Sequence, residues 1–194
     1  MHTTAMQSGK EFFTAYYNSF SDKVKVVEIG SQNVNGSLKE ACPVEAEYVG
    51  LDFQKANGVD IVLTDAYSFP LENNSVDIVV SSSCFEHSEL FWLSYLEIMR
   101  ILKPKGLFYL CAPTVGSVHK YPVDCWRFYP DAGKALITWG KRNNINNILL
   151  ESYVQQGGGW DDFVAVFLKD ETYSDQFLQR IVDNKSNIGH IYKK

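Results

Sequence analysis

No apolar run in the chain approaches the roughly 20 residues needed to cross a bilayer. The opening MHTTAMQSGK has no apolar signal core. Membrane insertion and export are therefore not expected, and the chain is read as cytoplasmic. Cysteine is sparse: Cys42, Cys84, Cys111 and Cys125 are scattered, with no C-x-x-C pair. They are read as reduced thiols, neither a disulfide framework nor a zinc site. His, Cys and carboxylates do not cluster at ligand spacing along the chain, so no metal is expected. Positive charge is in deficit, with 18 Lys and Arg against 23 Asp and Glu and a net charge of -5. A surface of that sign disfavours polyanions, and nucleic acid is not expected as a partner. Internal repeats are absent, and the nearest thing to low complexity is Gly157-Gly158-Gly159.

What remains suits one globular domain over residues 1–194, with 45% hydrophobic residues to fill a core. Ser8 with Glu11 three residues on has the form of a capping box. It is expected to open a helix over GKEFFTAYYNSF, whose Phe12, Tyr16 and Phe20 recur at helical spacing and read as core. Strands and helices then alternate. KVKVVEIG, EYVGLDF, VDIVLTDA, SVDIVVSSS and GLFYLCAPT read as strands; NGSLKEAC and SELFWLSYLEIMRIL read as helices. Strands that are apolar throughout are buried on both faces, which implies a parallel sheet covered by helices. After a helix around Asp131 to Lys141, NNILLESYVQ and DDFVAVFLK read as strands joined by a short glycine-rich link. Two strands so close in sequence can pair directly only as an antiparallel hairpin. YSDQFLQRIVDN is expected to be a terminal helix.

In doubly wound sheets, ligands bind outside the carboxyl ends of the strands. Strand one ends in Glu28, Ile29, Gly30 and Ser31, strand two in Asp52, strand three in Asp65-Ala66, and strand four in Ser82-Ser83-Cys84. Asp52 stands about 20 residues beyond the first glycine, the distance at which an acid reaches a ribose diol. Clustered acids cost free energy unless partnered, and a cofactor carrying a cation, a ribose and an amine would partner them. Taken singly, Asp52 and Asp65 read equally well as turn-formers or caps.

The order VVEIG, YVGLD, LTDAYSFPLENNSVDIVVSSSCFEH, YLEIMRILKPKGLFYLCAP resembles the class I S-adenosylmethionine-dependent methyltransferases. The resemblance runs from Val26 to Pro113. It implies a doubly wound, mostly parallel, seven-stranded sheet with helices on both faces and a C-terminal antiparallel hairpin. It also implies a division into an N-terminal helix (1–22), a cofactor-binding core (23–113), a substrate loop and helix (114–144), and a hairpin with terminal helix (145–194). The cofactor implied is S-adenosylmethionine. Glu28 would sit near its methionine amino group, with Gly30 allowing close backbone approach. Asp52 would take the ribose hydroxyls, with Phe53 against the adenine; Asp65 would accept from the adenine amine, beside Ala66. Ser82 and Ser83 would present backbone near the methionine portion, with Phe85 and His87 approaching the methyl. The first loop departs from the family pattern, since Ser31, Gln32 and Asn33 stand where further glycines are expected; these polar residues are expected to serve the carboxylate end of the cofactor, with Ser31 and Gln32 as candidate binding residues. A dinucleotide loop needs glycines so that a helix N-terminus reaches a pyrophosphate. S-adenosylmethionine has no phosphate, so the departure counts more against an NAD-dependent oxidoreductase than against a methyltransferase. A non-catalytic binder of the same fold is the other alternative.

The segment HKYPVDCWRFYP, His119 to Pro130, follows the fifth strand at the ligand edge, where substrate contacts belong. His119 is the candidate general base, with Asp124 orienting it or Arg127, and His87 is a second candidate. Tyr121, Trp126 and Tyr129 are candidates to stack on a sugar or other ring. Equally, Asp124 and Arg127 form an ion pair that pins the loop and Trp126 fills the core. EHSE after strand four reads as well as a helix cap. The loop resembles one in methyltransferases encoded with glycan genes, which implies a glycan or other small-molecule hydroxyl acceptor. At this chain length there is little room for a separate substrate domain. The acceptor pocket is therefore expected to be open, or completed by a second copy in a homodimer.

Overall fold

The computed structural model describes residues 2–20 and 23–194. The expected boundary at residue 22 lies outside them. One sheet organises the chain. Its parallel part comprises β1 (Lys25–Ile29), β2 (Glu47–Asp52), β3 (Ile61–Val62), β4 (Val76–Ser82) and β5 (Leu102–Pro113); β6 (Ile148–Gln155), β7 (Asp162–Leu168) and β8 (Ile188–Lys193) complete it. The order across the sheet is β3-β2-β1-β4-β5-β7-β6-β8. β6 and β7 form the expected antiparallel hairpin, and β7 lies between β5 and β6, antiparallel to both.

Side chains alternate between two cores, as the pleat requires. Val26, Ile78, Val80, Leu107, Tyr109, Val164 and Val166 face one way, packing against Phe12 and Tyr16 of α1 (Thr3–Tyr16). Val27, Val79, Phe108, Leu110, Ala165 and Phe167 face the other way. They pack against Tyr95, Ile98 and Met99 of α2 (Phe91–Ile101) and Leu136 of α3 (Ala132–Arg142). Both faces of the central strands are apolar because both are covered.

Five expectations are corrected. α1 opens at Thr3, before the proposed capping box, and Ser8 is buried inside the helix, where its Oγ accepts from Lys185 Nζ at 3.3 Å. NGSLKEAC makes only a short 3-10 turn, Leu38–Glu40. EHSE caps nothing: α2 starts after Leu90 with no side-chain cap, and Phe85–His87 is a 3-10 turn of its own. The sheet has eight strands among the described residues, and the expected terminal helix is absent. In its place stand two 3-10 turns, Glu171–Gln176 and Ile181–Asp183, followed by β8. β8 runs antiparallel along the free edge of β6, so its backbone groups satisfy an edge that would otherwise be unpaired.

Candidate active site

The carboxyl ends of β1, β2 and β4 open onto a cavity of about 450 Å³. Gly30 forms its floor with φ +79, and a Cβ there would collide with the Cys84 side chain. Gly30 is thus required by β4's packing as much as by any ligand. Of the residues expected to hold a cofactor, Glu28, Gly30, Gln32, Asp52, Phe53, Ala66, Ser82, Ser83, Phe85 and His87 all line the cavity. Ser31 and Asp65 do not. Ser31 is buried against Gly50, where a Cβ would lie 2.6 Å from its Oγ. Asp65 is exposed and its Oδ1 accepts from the Tyr67 N–H at 2.8 Å, closing a turn.

Glu28 is buried and accepts from Tyr48 Oη at 2.9 Å and Ser37 Oγ at 3.2 Å. Burial pushes its carboxyl from the ordinary 4.5 up to about 7. Asp52 accepts from the backbone N–H groups of Gln32 (3.1 Å) and Gln54 (3.3 Å), which ties the first loop to the end of β2. Phe53, just beyond β2, is 49% exposed and Val34, in the loop after β1, is 53% exposed, and both add apolar surface to the cavity.

Another side of the cavity is built by the segment after β5. The N–H groups of Cys125 and Trp126 donate to the Glu86 carbonyl at 2.8 and 3.1 Å, and His87 Nδ1 lies 2.6 Å from the Val123 carbonyl. Arg127 donates to both oxygens of Asp124 at 2.6 and 2.8 Å, and holds that carboxyl well below the usual range. Asp124 also accepts the His119 N–H at 2.8 Å and stands 3.5 Å from His119 Nδ1. Asp124 and Arg127 therefore pin the loop and seat His119, but neither lines the cavity. Trp126 donates its indole N–H to the Ser88 carbonyl and packs edge-on against Phe91 and Trp92. Tyr121 lines the cavity, whereas Trp126 and Tyr129 do not.

His87 and His119 meet at a ring separation of 4.8 Å beside Glu86. Glu86 is fully buried; its Oε1 lies 3.7 Å from His87 Nε2 and 3.9 Å from His119 Nε2, and burial pushes its carboxyl up to about 8. Burial likewise lowers the pKa of His87, keeping the ring neutral. Glu86, Trp160 and His2 escaped the sequence reading as site residues. Trp160, in the turn between β6 and β7, packs tilted against His2 (4.8 Å) and edge-on against His119 (5.0 Å). Its one signal in the sequence is the Gly157-Gly159 link just before it.

A family model described as a methyltransferase domain matches residues 7–110, more than half of the chain. The chain belongs to the methyltransferase-domain family. It is a class I methyltransferase whose methyl donor is S-adenosylmethionine. No curated protein sequence matches it. Among solved structures, it is similar to 1,6-didemethyltoxoflavin-N1-methyltransferase from Burkholderia thailandensis, solved with 1,6-didemethyltoxoflavin and S-adenosylhomocysteine. Identity is 12%, TM-score 0.66, with 86% of this chain and 79% of that one covered. It is similar to the YcgJ protein of Bacillus subtilis at 12% identity and TM-score 0.60, covering 88% and 100%. It is also similar to the [4+2]-cyclase SpnF at 12% identity and TM-score 0.64, covering 85% and 81%. At such identity these likenesses speak to the fold of the methyltransferase, and the fold alone does not select an acceptor.

Proposed function

We propose that this methyltransferase moves the methyl group of S-adenosylmethionine to a hydroxyl of a small-molecule or glycan acceptor by in-line displacement. The observation that carries the reading is the convergence of Glu86, His87 and His119 on the side of the cavity built by the segment after β5. Phe53 and Val34 cover the adenine, Asp52 takes the ribose hydroxyls, and Glu28 pairs with the methionine ammonium. The sulfonium methyl is then directed toward the histidines. The acceptor oxygen attacks the methyl carbon, the carbon–sulfur bond breaks with its electron pair passing to sulfur, and S-adenosylhomocysteine is left. One proton is lost from the hydroxyl, and the electron pairs of this corner favour its removal. Alignment of oxygen, methyl and sulfur supplies much of the rate, since the donor is already activated. Tyr121 and Trp160 offer rings for a sugar to stack on.

The test is release of S-adenosylhomocysteine across a panel of hydroxyl-bearing sugars and small phenols, with amines as the contrast. Methylation confined to amines would overturn the hydroxyl reading. Asp52→Ala is expected to weaken S-adenosylhomocysteine binding by about 1.5–3 kcal/mol, with charge-assisted bonds lost. Calorimetry on a variant that melts with the parent checks this, and unaltered affinity removes Asp52 from the ribose site.

Glu28 makes affinity depend on pH. In the free protein the raised carboxyl is protonated below about 7, and pairing with an ammonium needs it ionised. Binding is therefore expected to be roughly tenfold weaker at pH 6 than at pH 8. The same shift disfavours the unliganded fold progressively as pH rises from 4.5 to about 7, because the unfolded chain releases that proton first. Glu28→Gln should flatten the binding profile; a parent profile already flat would exclude the pairing.

A further inference from the structure

His87 and His119 converge on the fully buried Glu86 carboxyl, and neither ring hydrogen-bonds it. His87 Nδ1 lies 2.6 Å from the Val123 carbonyl and His119 Nδ1 lies 3.2 Å from the Ser117 carbonyl. A carbonyl only accepts, so each ring carries its hydrogen on Nδ1 and keeps a lone pair on Nε2. Both Nε2 atoms face the same oxygen, Glu86 Oε1, at 3.7 and 3.9 Å. Neither carboxylate oxygen of Glu86 accepts a hydrogen bond from another residue, although the side chain is fully buried. No Lys or Arg lines the cavity, and Arg127 is engaged by Asp124. Two lone pairs converging on a buried carboxyl that no group of the chain hydrogen-bonds is an arrangement that a cation satisfies by taking the place of the carboxyl proton.

We propose that Glu86, His87 and His119 form a binding site for a divalent first-row transition ion, with Zn²⁺ as the preferred occupant. One ligand atom from each of the three lies within 4.8 Å of the others. Two imidazoles and one carboxylate suit Zn²⁺ and its neighbours better than Mg²⁺ or Ca²⁺, which favour all-oxygen sets. Backbone carbonyls on the two Nδ1–H groups are what orient metal-bound histidines. Bonds of about 2.1 Å place tetrahedral ligand atoms about 3.4 Å apart, so the corner closes by roughly half an ångström around Glu86 and more between the rings. His119, with 36% of its side chain exposed, supplies the larger movement. This departs from the expectation drawn from spacing along the chain, because only the fold brings His119 to the Phe85–His87 turn. Three protein ligands leave a position open toward the cavity. Its chemical use rests on the methyl-transfer reading: an acceptor hydroxyl bound there is acidified by coordination, and its proton leaves to solvent.

The experiment is titration of Co²⁺ and Zn²⁺ into the full chain after dialysis against a chelator. It is read by visible cobalt absorption and by metal content per chain. One ion per chain is expected, with the spectrum of a mixed nitrogen–oxygen site. Glu86→Gln and His119→Gln are each expected to weaken uptake by at least about tenfold. Calorimetry with S-adenosylhomocysteine on each variant shows that its fold is kept, and His119→Gln, on a partly exposed side chain, serves if Glu86→Gln does not fold. Absence of uptake at millimolar metal, or uptake equal in parent and His119→Gln, overturns the site. Stoichiometric uptake in a chain that transfers no methyl group upholds the site and retires the hydroxyl function alone.

Discussion

His119→Ala turns over its acceptor about 10²- to 10⁴-fold more slowly than the parent, the range expected when proton removal loses its agent. Its affinity for S-adenosylhomocysteine is unaltered. The asymmetry follows from geometry. The His119 ring stands beside Glu86, His87, Asp124 and Trp160, on the side of the cavity built by the segment after β5, whereas Glu28 and Asp52 stand at the ends of β1 and β2. Whether Nε2 takes the hydroxyl proton itself or holds an ion that acidifies the hydroxyl, removing the ring removes that assistance. The loop survives the substitution. Asp124 keeps its hold on the His119 backbone N–H and on Arg127, and Cys125 and Trp126 keep theirs on the Glu86 carbonyl. Single-turnover rates and calorimetry on the same preparation separate the two quantities. A turnover number equal to the parent's would take His119 out of the reaction.

Glu151→Ala is expected to be the most destabilising single change away from the cavity. Glu151 is fully buried on β6, where Oε1 accepts from Tyr16 Oη at 2.5 Å and the Ile181 N–H at 2.9 Å, and Oε2 accepts from the Val182 N–H at 3.0 Å. Burial, with Glu151 beside it, pushes the Tyr16 phenol well up, so it remains a donor. Alanine leaves a buried phenol and two backbone donors without an acceptor. At about 1 kcal/mol or more for each, the loss is at least about 3 kcal/mol. Urea denaturation followed by tryptophan fluorescence measures it, and Glu151→Gln, which keeps one acceptor oxygen, falls between the two. An alanine variant within about 0.5 kcal/mol of the parent would show that water replaces the carboxylate, as at an ordinary surface site.

The same carboxylate explains where sequence reading stopped. Phe177 and Ile181 are four residues apart and both buried, a spacing that suits a helix as well as what forms. The choice was made by Glu151, distant in sequence, whose oxygens take the N–H groups of Ile181 and Val182. The central strands needed no such partner. Val26, Val27, Ile78, Val79 and Val80 are β-branched and apolar on both sides, so strand and two-sided burial were legible together. The candidate site divides in the same way. Glu28, Gly30, Asp52, Ser82 and Ser83 stand at strand ends, and strand ends were visible. Ser31 turned inward because Gly50 leaves room for it, and Asp65 closed its own turn on Tyr67. Both outcomes depend on neighbours that no local pattern announces. Glu86 was read within EHSE, as part of a helix cap; its isolation from hydrogen-bond donors became visible only in three dimensions.

The segment after β5 keeps its fastenings and its cavity surface in different residues. Asp124, Arg127 and the backbone of Cys125 and Trp126 hold it, while Tyr121, Pro122 and Val123 line the cavity. His87 grips Val123 through its carbonyl, and Tyr121 and Val123 bond through backbone alone. Exchanging the side chain at Tyr121 or Val123 leaves each of those bonds in place. The lining of this part of the cavity can therefore change by single substitutions with little loss of folding, which makes these two positions the places to test the proposed acceptor site.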